Sequence, residues 1–191
     1  RGIYVKPIMI TRIEDKNGSA LFEVVPKTRD VLSEEVAYVT VNLMQGVTKH
    51  GSGARLRHAG LEKTNYIYEK LVTGYPYVFD NPIAGKTGTT QNQSDGWFMG
   101  MVPNLATGVW VGGDDRSIHF EEIGFGQGAT MALPIWGSYM KALYQSPDLG
   151  VSVGEFFPPE KQSISVDCDD IIDSKKKKKP KPKADLDALG F

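Results

Sequence analysis

The chain predicts an α/β protein of the segregated, α+β type, an antiparallel sheet covered by helices. Three observations carry that expectation. Ala84-Gly85-Lys86-Thr87-Gly88-Thr89-Thr90 reads as a strand, and two short apolar segments follow at 97–102 and 109–111, separated by a turn at Pro103-Asn104. That pattern is a three-strand meander. Segments with helical spacing of apolar residues flank it on both sides. Ahead of them lies an Asn-Gly turn between two extended patterns, the mark of a β-hairpin.

Taken in order, residues 3–13 alternate imperfectly between apolar and polar side chains and end in Glu14-Asp15-Lys16-Asn17-Gly18. Residues 20–25 resume the extended pattern and complete the hairpin, with Pro26 and Asp30 breaking it. Ser33-Glu34-Glu35-Val36 has the form of a helix start, with Ser33 as N-cap and two acids facing the positive end of the dipole. Val36, Val39, Leu43, Met44 and Val47 keep helical spacing and predict its apolar face. Gly51-Ser52-Gly53 marks a loop. Residues 65–73 read as a short helix or an irregular insertion before Pro76 and Pro82 return the chain to the sheet.

After the meander, Gly124-Phe125-Gly126-Gln127-Gly128 reads as a flexible connector. Residues 129–145 predict a helix with Met131, Ile135, Tyr139, Met140 and Leu143 on its apolar face and Pro134 in the first turn, where proline is tolerated. From Asp173 the lysine run with Pro180 and Pro182 is low-complexity and is expected to be disordered. The domain division that follows is 1–160 for the folded part and 161–191 for a Lys/Pro-rich tail.

Composition narrows the function classes. The formal net charge of −1 hides an asymmetry, because residues 175–191 carry seven lysines against two aspartates. The rest is mildly acidic, which argues against nucleic-acid binding. With a single cysteine, Cys168, no intrachain disulfide or cysteine-based metal site can be assembled. His50, His58 and His119 are too scattered to imply a metal, and Glu121-Glu122 with Asp114-Asp115 reads as a solvated acidic loop. No metal or cofactor is expected. The start at Arg1 has neither an initiator methionine nor a signal peptide and reads as a fragment of a longer chain.

A strand bearing a cation, two hydroxyls and an unobstructed backbone suits an anionic carbonyl compound. Lys-Thr-Gly alone is a weak signal, but its neighbourhood is specific. Gly85 to Thr90, then Asp95-Gly96-Trp97-Phe98-Met99-Gly100, Pro103 and Val109-Trp110-Val111-Gly112-Gly113-Asp114 follow one another at short intervals. Downstream stand Gly128-Ala129 and Ala132-Leu133-Pro134-Ile135-Trp136. This series resembles the C-terminal portion of the transpeptidase domain of class A (bifunctional) penicillin-binding proteins, across roughly residues 1–145. The resemblance implies part of a penicillin-binding transpeptidase fold, akin to the serine β-lactamases.

It also implies roles. Lys86 supplies a fixed positive charge beside the acyl donor and its serine motifs. Thr87 and Thr89 hydroxyls bond the terminal carboxylate of a D-Ala-D-Ala stem peptide or of a β-lactam, and Gly88 lets substrate lie against the strand. The Thr89 N–H forms half of an oxyanion hole, a contribution typically worth about 3–4 kcal/mol in the transition state. Lys86 and Thr89 are thus the expected catalytic residues, and Thr87, Gly88 and Thr89 the expected substrate-binding ones.

The chain departs from the family pattern in one respect. No Ser-x-Asn occurs in it, and the Ser-x-x-Lys of the predicted C-terminal helix, Ser138-Tyr139-Met140-Lys141, follows the Lys-Thr-Gly strand instead of preceding it. Ser138 therefore reads as a helix-surface coincidence and Ser94-Asp95-Gly96 as a turn. Without an activated serine there is no acyl-enzyme, so the 191 residues alone are expected to be inactive and marginally stable. A P-loop reading of Gly85-Lys86-Thr87 fails, because the glycine needed five residues earlier is Asp80 and a strand follows where a helix is required. Trp97 and Trp110 are expected in the sheet core, with an edge of the substrate cleft as the lesser reading.

Two functions remain. One is the end of a peptidoglycan D,D-transpeptidase on the outer face of the bacterial membrane, anchored by a segment not in this chain and accompanied by a glycosyltransferase domain. The other is a non-catalytic module that binds wall peptide. In either case the run from Lys175 to Lys179 is a candidate contact with anionic envelope polymers or lipid. A nucleophile motif upstream separates the two.

Overall fold

The computed structural model describes residues 1–57 and 77–167. The expected insertion at 65–73 and, of the expected tail 161–191, everything after residue 167 lie outside the described residues. Three small antiparallel sheets and a set of helices follow in chain order. The fold class is the expected one: antiparallel sheet with helices packed on it.

The first sheets form a ribbon. Strands β2 (Arg12–Glu14) and β3 (Ala20–Glu23) pair across the Asn17-Gly18 turn. Gly18 takes φ +83, and the Asp15 carboxylate accepts from the Asn17 and Ser19 N–H groups at 2.8 and 2.9 Å. That turn chemistry is local and was legible. The outer ends differ from expectation. Residues 3–13 are not one strand, since β1 (Ile3–Val5) stops before Pro7, which has no N–H to give a ladder. Asp30 does not end the extended chain either. It lies in β4 (Thr28–Asp30), which pairs with β1 so that Ile3 faces Asp30.

Helix α1 (Glu34–Lys49) begins as expected. The Ser33 hydroxyl accepts from the Val36 N–H at 3.2 Å, and Glu34 and Glu35 occupy the first turn. Its apolar face is only partly the one predicted: Val39, Met44 and Val47 are half-buried, but Val36 and Leu43 are exposed while Gln45 and Thr48 are buried. The cause is geometric. The last turn reaches the main sheet, where the Thr48 hydroxyl donates to the Ile83 carbonyl at 2.6 Å.

The main sheet is the meander β5 (Ala84–Thr89), β6 (Asp95–Val102) and β7 (Leu105–Gly112), in that order, with Pro103-Asn104 as the turn. Register sets Lys86 opposite Met99, Gly88 opposite Trp97, and Trp97 opposite Trp110. Period-two alternation then gives two unlike faces. Gly96, Phe98, Gly100 and Val102 are buried. Trp97, Met99 and Trp110 are exposed on the other face, so the two tryptophans are not sheet core. They lean on each other with ring centroids 6.5 Å apart.

The connector at 124–128 is ordered rather than flexible. It contributes to two single-turn helices, α2 (Ile123–Gly126) and α3 (Gly128–Met131). Helix α4 (Leu133–Tyr144) follows with Pro134 in its first turn. Its buried face is Leu133, Trp136, Gly137 and Met140; of the residues expected inside, Met140 is buried and Leu143 packs against the core, while Ile135 and Tyr139 are exposed. Trp136 is fully buried and meets Phe98 edge to face at 5.1 Å. Its indole lies over Gly100, where any Cβ would overlap the ring. Trp136 Nε1 donates to the Thr107 hydroxyl at 2.6 Å, which satisfies the one polar atom of the buried indole. Leu56, Ile83, Phe98, Leu133, Trp136 and Met140 form the centre of the core.

Beyond α4 the chain turns at Gly150 and runs back to α1. Asn104 holds the Gly150 carbonyl and the Ser152 N–H, each at 2.8 Å. Further on, Ser163 and the Ile164 N–H donate to the Glu35 carboxylate.

Candidate functional site: the free edge of the Lys-Thr-Gly strand

Strand β5 pairs with β6 on one side, and no strand pairs with its other side among the described residues. The Thr90 N–H donates across to the Asp95 carbonyl at 3.1 Å. Backbone direction alternates along a strand, so the N–H groups of Thr87 and Thr89 point to the free edge. An oxyanion needs donors in that direction.

Side chains cluster at the same edge. Lys86 is exposed, and its ammonium donates to the Thr87 carbonyl at 2.9 Å. The Thr87 and Ser52 hydroxyls lie 2.7 Å apart. Thr89 is held differently, because its Oγ1 accepts from the Gly128 N–H at 3.0 Å while its own proton stays available. Gly88 lies on the Trp97 side, where an added Cβ would sit 3.1 Å from the Trp97 Cβ. All four expected site residues are therefore contiguous on one strand, with Lys86 and Gly88 on the open face and Thr87 and Thr89 toward the helices.

The connection after β5 is braced. Asp95 takes Trp110 Nε1 at 3.0 Å, the Thr90 hydroxyl at 3.2 Å and the Ser94 hydroxyl at 3.3 Å. Asn92 and Gln93 adopt φ +61 and +51, left-handed values that cost a non-glycine residue about 1 kcal/mol or more. Of the Ser94-Asp95-Gly96 expected as a turn, Ser94 lies in it and is buried, while Asp95 and Gly96 already open β6. Ser138 is exposed on α4, 3.5 Å from the Tyr77 hydroxyl, and α4 packs on β6 and β7.

The structure adds residues that the sequence did not single out. Arg55 is buried and donates to the Ala129 carbonyl at 3.1 Å and the Thr130 hydroxyl at 3.0 Å, tying the loop after α1 to α3. Arg57 donates to the Phe79 carbonyl at 2.8 Å, and burial lowers its pKa against the opposing charge of Asp80. Gly128 is tight against the Gly88 and Trp97 carbonyls, which brings its N–H to Thr89. No periodicity marks such residues; only the glycine hints at close approach.

The family model of the penicillin binding protein transpeptidase domain matches residues 1–114, and the chain belongs to that family. Penicillin-binding protein 1A of Aquifex aeolicus is 32% identical over 174 residues, covering 90% of this chain and 20% of its own length. Penicillin-binding protein 1A of Pseudomonas aeruginosa is 36% identical over 120 residues, 62% of this chain and 12% of its own. The chain thus spans a fifth or less of these curated relatives. Among solved structures, penicillin-binding protein 1A from Haemophilus influenzae superposes with a TM-score of 0.55 at 23% identity, over 85% of this chain and 25% of its own. That likeness concerns the fold.

Proposed function

We infer that this chain is the C-terminal part of a peptidoglycan D,D-transpeptidase that cross-links stem peptides by serine acyl transfer. The observation that carries the reading is the free edge of β5, where an ammonium, two threonine hydroxyls and outward N–H groups lie together inside a transpeptidase-family match.

In this reading Thr87 and Thr89 donate to the C-terminal carboxylate of the acyl donor, and Lys86 offsets its charge. Charge-assisted bonds of this kind are the strong ones. The Thr89 N–H faces the carbonyl oxygen as it becomes an oxyanion, and Gly88 admits the peptide to the strand. β-Lactams present the same carboxylate and carbonyl and bind at the same edge. The serine comes from outside the 191 residues, which are inactive alone. The whole protein acts on the outer face of the bacterial membrane, held by an anchor beyond this chain, with a glycosyltransferase domain elsewhere. Residues 1–160 form the transpeptidase portion and the lysine run from 175 to 179 meets the envelope. Among the described residues no helix is long and apolar enough to cross a membrane.

The test is to incubate the full-length protein with benzylpenicillin, digest it and map the adduct by mass spectrometry. The reading expects one penicilloyl-serine outside residues 1–191. An adduct within them, or none at all, would sink it.

A further inference from the structure

We propose that Ser52 is a positioning residue for the carboxylate site: its hydroxyl orients the Thr87 hydroxyl toward the anion. The inference rests on the reading of Thr87 given above and adds a residue from a different part of the chain. Gly51-Ser52-Gly53 has the composition of a pliable linker, yet the structure makes it a built support.

Both flanking glycines pack closely on the end of α1. A Cβ on Gly51 would lie 2.9 Å from the Val47 Cα, and one on Gly53 would lie 3.2 Å from the Val47 carbonyl oxygen. The Gly51 N–H donates to the Gly46 carbonyl at 3.1 Å and the Gly53 N–H to the Val47 carbonyl at 2.9 Å. The loop is thus folded back on the end of α1. The single turn that follows, Ala54–Leu56, is anchored by two buried side chains, Leu56 and Arg55. Ser52 is the exposed apex of this anchored loop. Its hydroxyl stands 2.7 Å from Thr87 Oγ1, the usual length of a well-formed O–H···O bond.

Proton counting gives the direction. Each hydroxyl owns one proton, and either oxygen can be the donor in the pair. When a carboxylate arrives at the edge, Thr87 must donate its proton to the anion, and Ser52 then donates to Thr87. The result is a chain, O–H···O–H···O⁻, in which each bond polarises the next. The Lys86 ammonium, 2.9 Å from the Thr87 carbonyl, supplies positive charge beside it. Ser52 thereby lowers the cost of orienting Thr87, which water would fill only with loss of its own freedom.

The experiment uses the full-length protein and two probes, benzylpenicillin and its methyl ester, which lacks the anion. The readout is the second-order acylation rate constant. Ser52→Ala is expected to slow benzylpenicillin about 10-fold and the ester less than about 2-fold, the pattern of a weakened bond between Thr87 and the anion. Ser52→Thr keeps the hydroxyl and is expected to restore the selective response. Because the two residues act through one chain, Ser52→Ala on a Thr87→Ala background is expected to cost little more. An unchanged or faster rate in Ser52→Ala overturns the proposal. So does an equal loss for both probes, which marks a loop that has merely shifted, or full additivity in the double variant. If Thr87→Ala itself fails to distinguish penicillin from ester, the carboxylate reading falls and this inference with it. If Thr87→Ala is selective and Ser52→Ala is not, only the role of Ser52 is lost.

Discussion

The ribbon of residues 1–32 and the sheet of residues 84–112 are both antiparallel, yet they are held together by different forces. Every residue of β1 to β4 is exposed. The ribbon rests on its ladder, the Asp15 turn, and surface pairs such as Arg12 with Glu14 and Arg29 over the Tyr4 ring. Exposed pairs of this sort are worth little each. The sheet instead presses one face onto α4 and the end of α1, with Phe98, Trp136 and Leu56 fully buried. Strand pairing alone does not make a core. The rigid edge that carries Lys86 and Thr87 belongs to the region that buries its other face.

That contrast predicts a graded response to substitution, read by denaturant unfolding of the full-length protein with a probe in this domain. Trp136→Ala removes the largest fully buried side chain among the described residues together with its bond to Thr107, so a loss of about 3–5 kcal/mol is expected. Gly100→Ala forces a methyl group into the Trp136 ring and is expected to cost about 1–3 kcal/mol. Leu21→Ser, on the ribbon where Leu21 is 69% exposed, is expected to stay within about 0.5 kcal/mol. A ribbon variant as damaging as Trp136→Ala would erase the distinction.

The smallest effect concerns the segment that returns to α1. Hydrogen bonds from the Ile164 and Ser163 backbone, then from the Ser163 hydroxyl, hold the Glu35 carboxyl below its ordinary pKa. A depressed carboxylate contributes its tether above the unfolded pKa and loses it as pH falls through the folded one. Hydrogen exchange at the Ser163 and Ile164 amides, corrected for intrinsic rates, should show protection that fades only in acid below the usual glutamate range. Glu35→Gln should weaken that protection at neutral pH. Protection independent of pH and of Glu35 would place the tether elsewhere.

What the sequence revealed follows the same division. Local chemistry was readable: the Asn17-Gly18 turn, the Ser33 cap, the Pro103-Asn104 turn, and the strand that brings Lys86, Thr87, Gly88 and Thr89 together. Long-range choices were not. Adjacent Trp97 and Phe98 must face opposite ways, but nothing in the dipeptide says which face α4 covers. The pairing of β1 with β4 joins residues from the two ends of the ribbon, and Ser52 meets Thr87 from 35 residues away. Apolar spacing in α1 and α4 identified the helices but only part of their buried faces, because burial depends on where each helix meets the sheet. The glycines carried more than their composition suggested, since Gly100, Gly128 and the pair around Ser52 each record a close approach.

The most direct test of the central claim is the acylation rate constant of the full-length protein with Lys86 replaced by alanine. If the β5 edge grips the acyl donor, Lys86→Ala lowers benzylpenicillin acylation by at least about 100-fold, as loss of a charge at a preorganised site does, with the unfolding midpoint unchanged. Near-normal labelling by penicillin would contradict the account and remove Lys86 from the site.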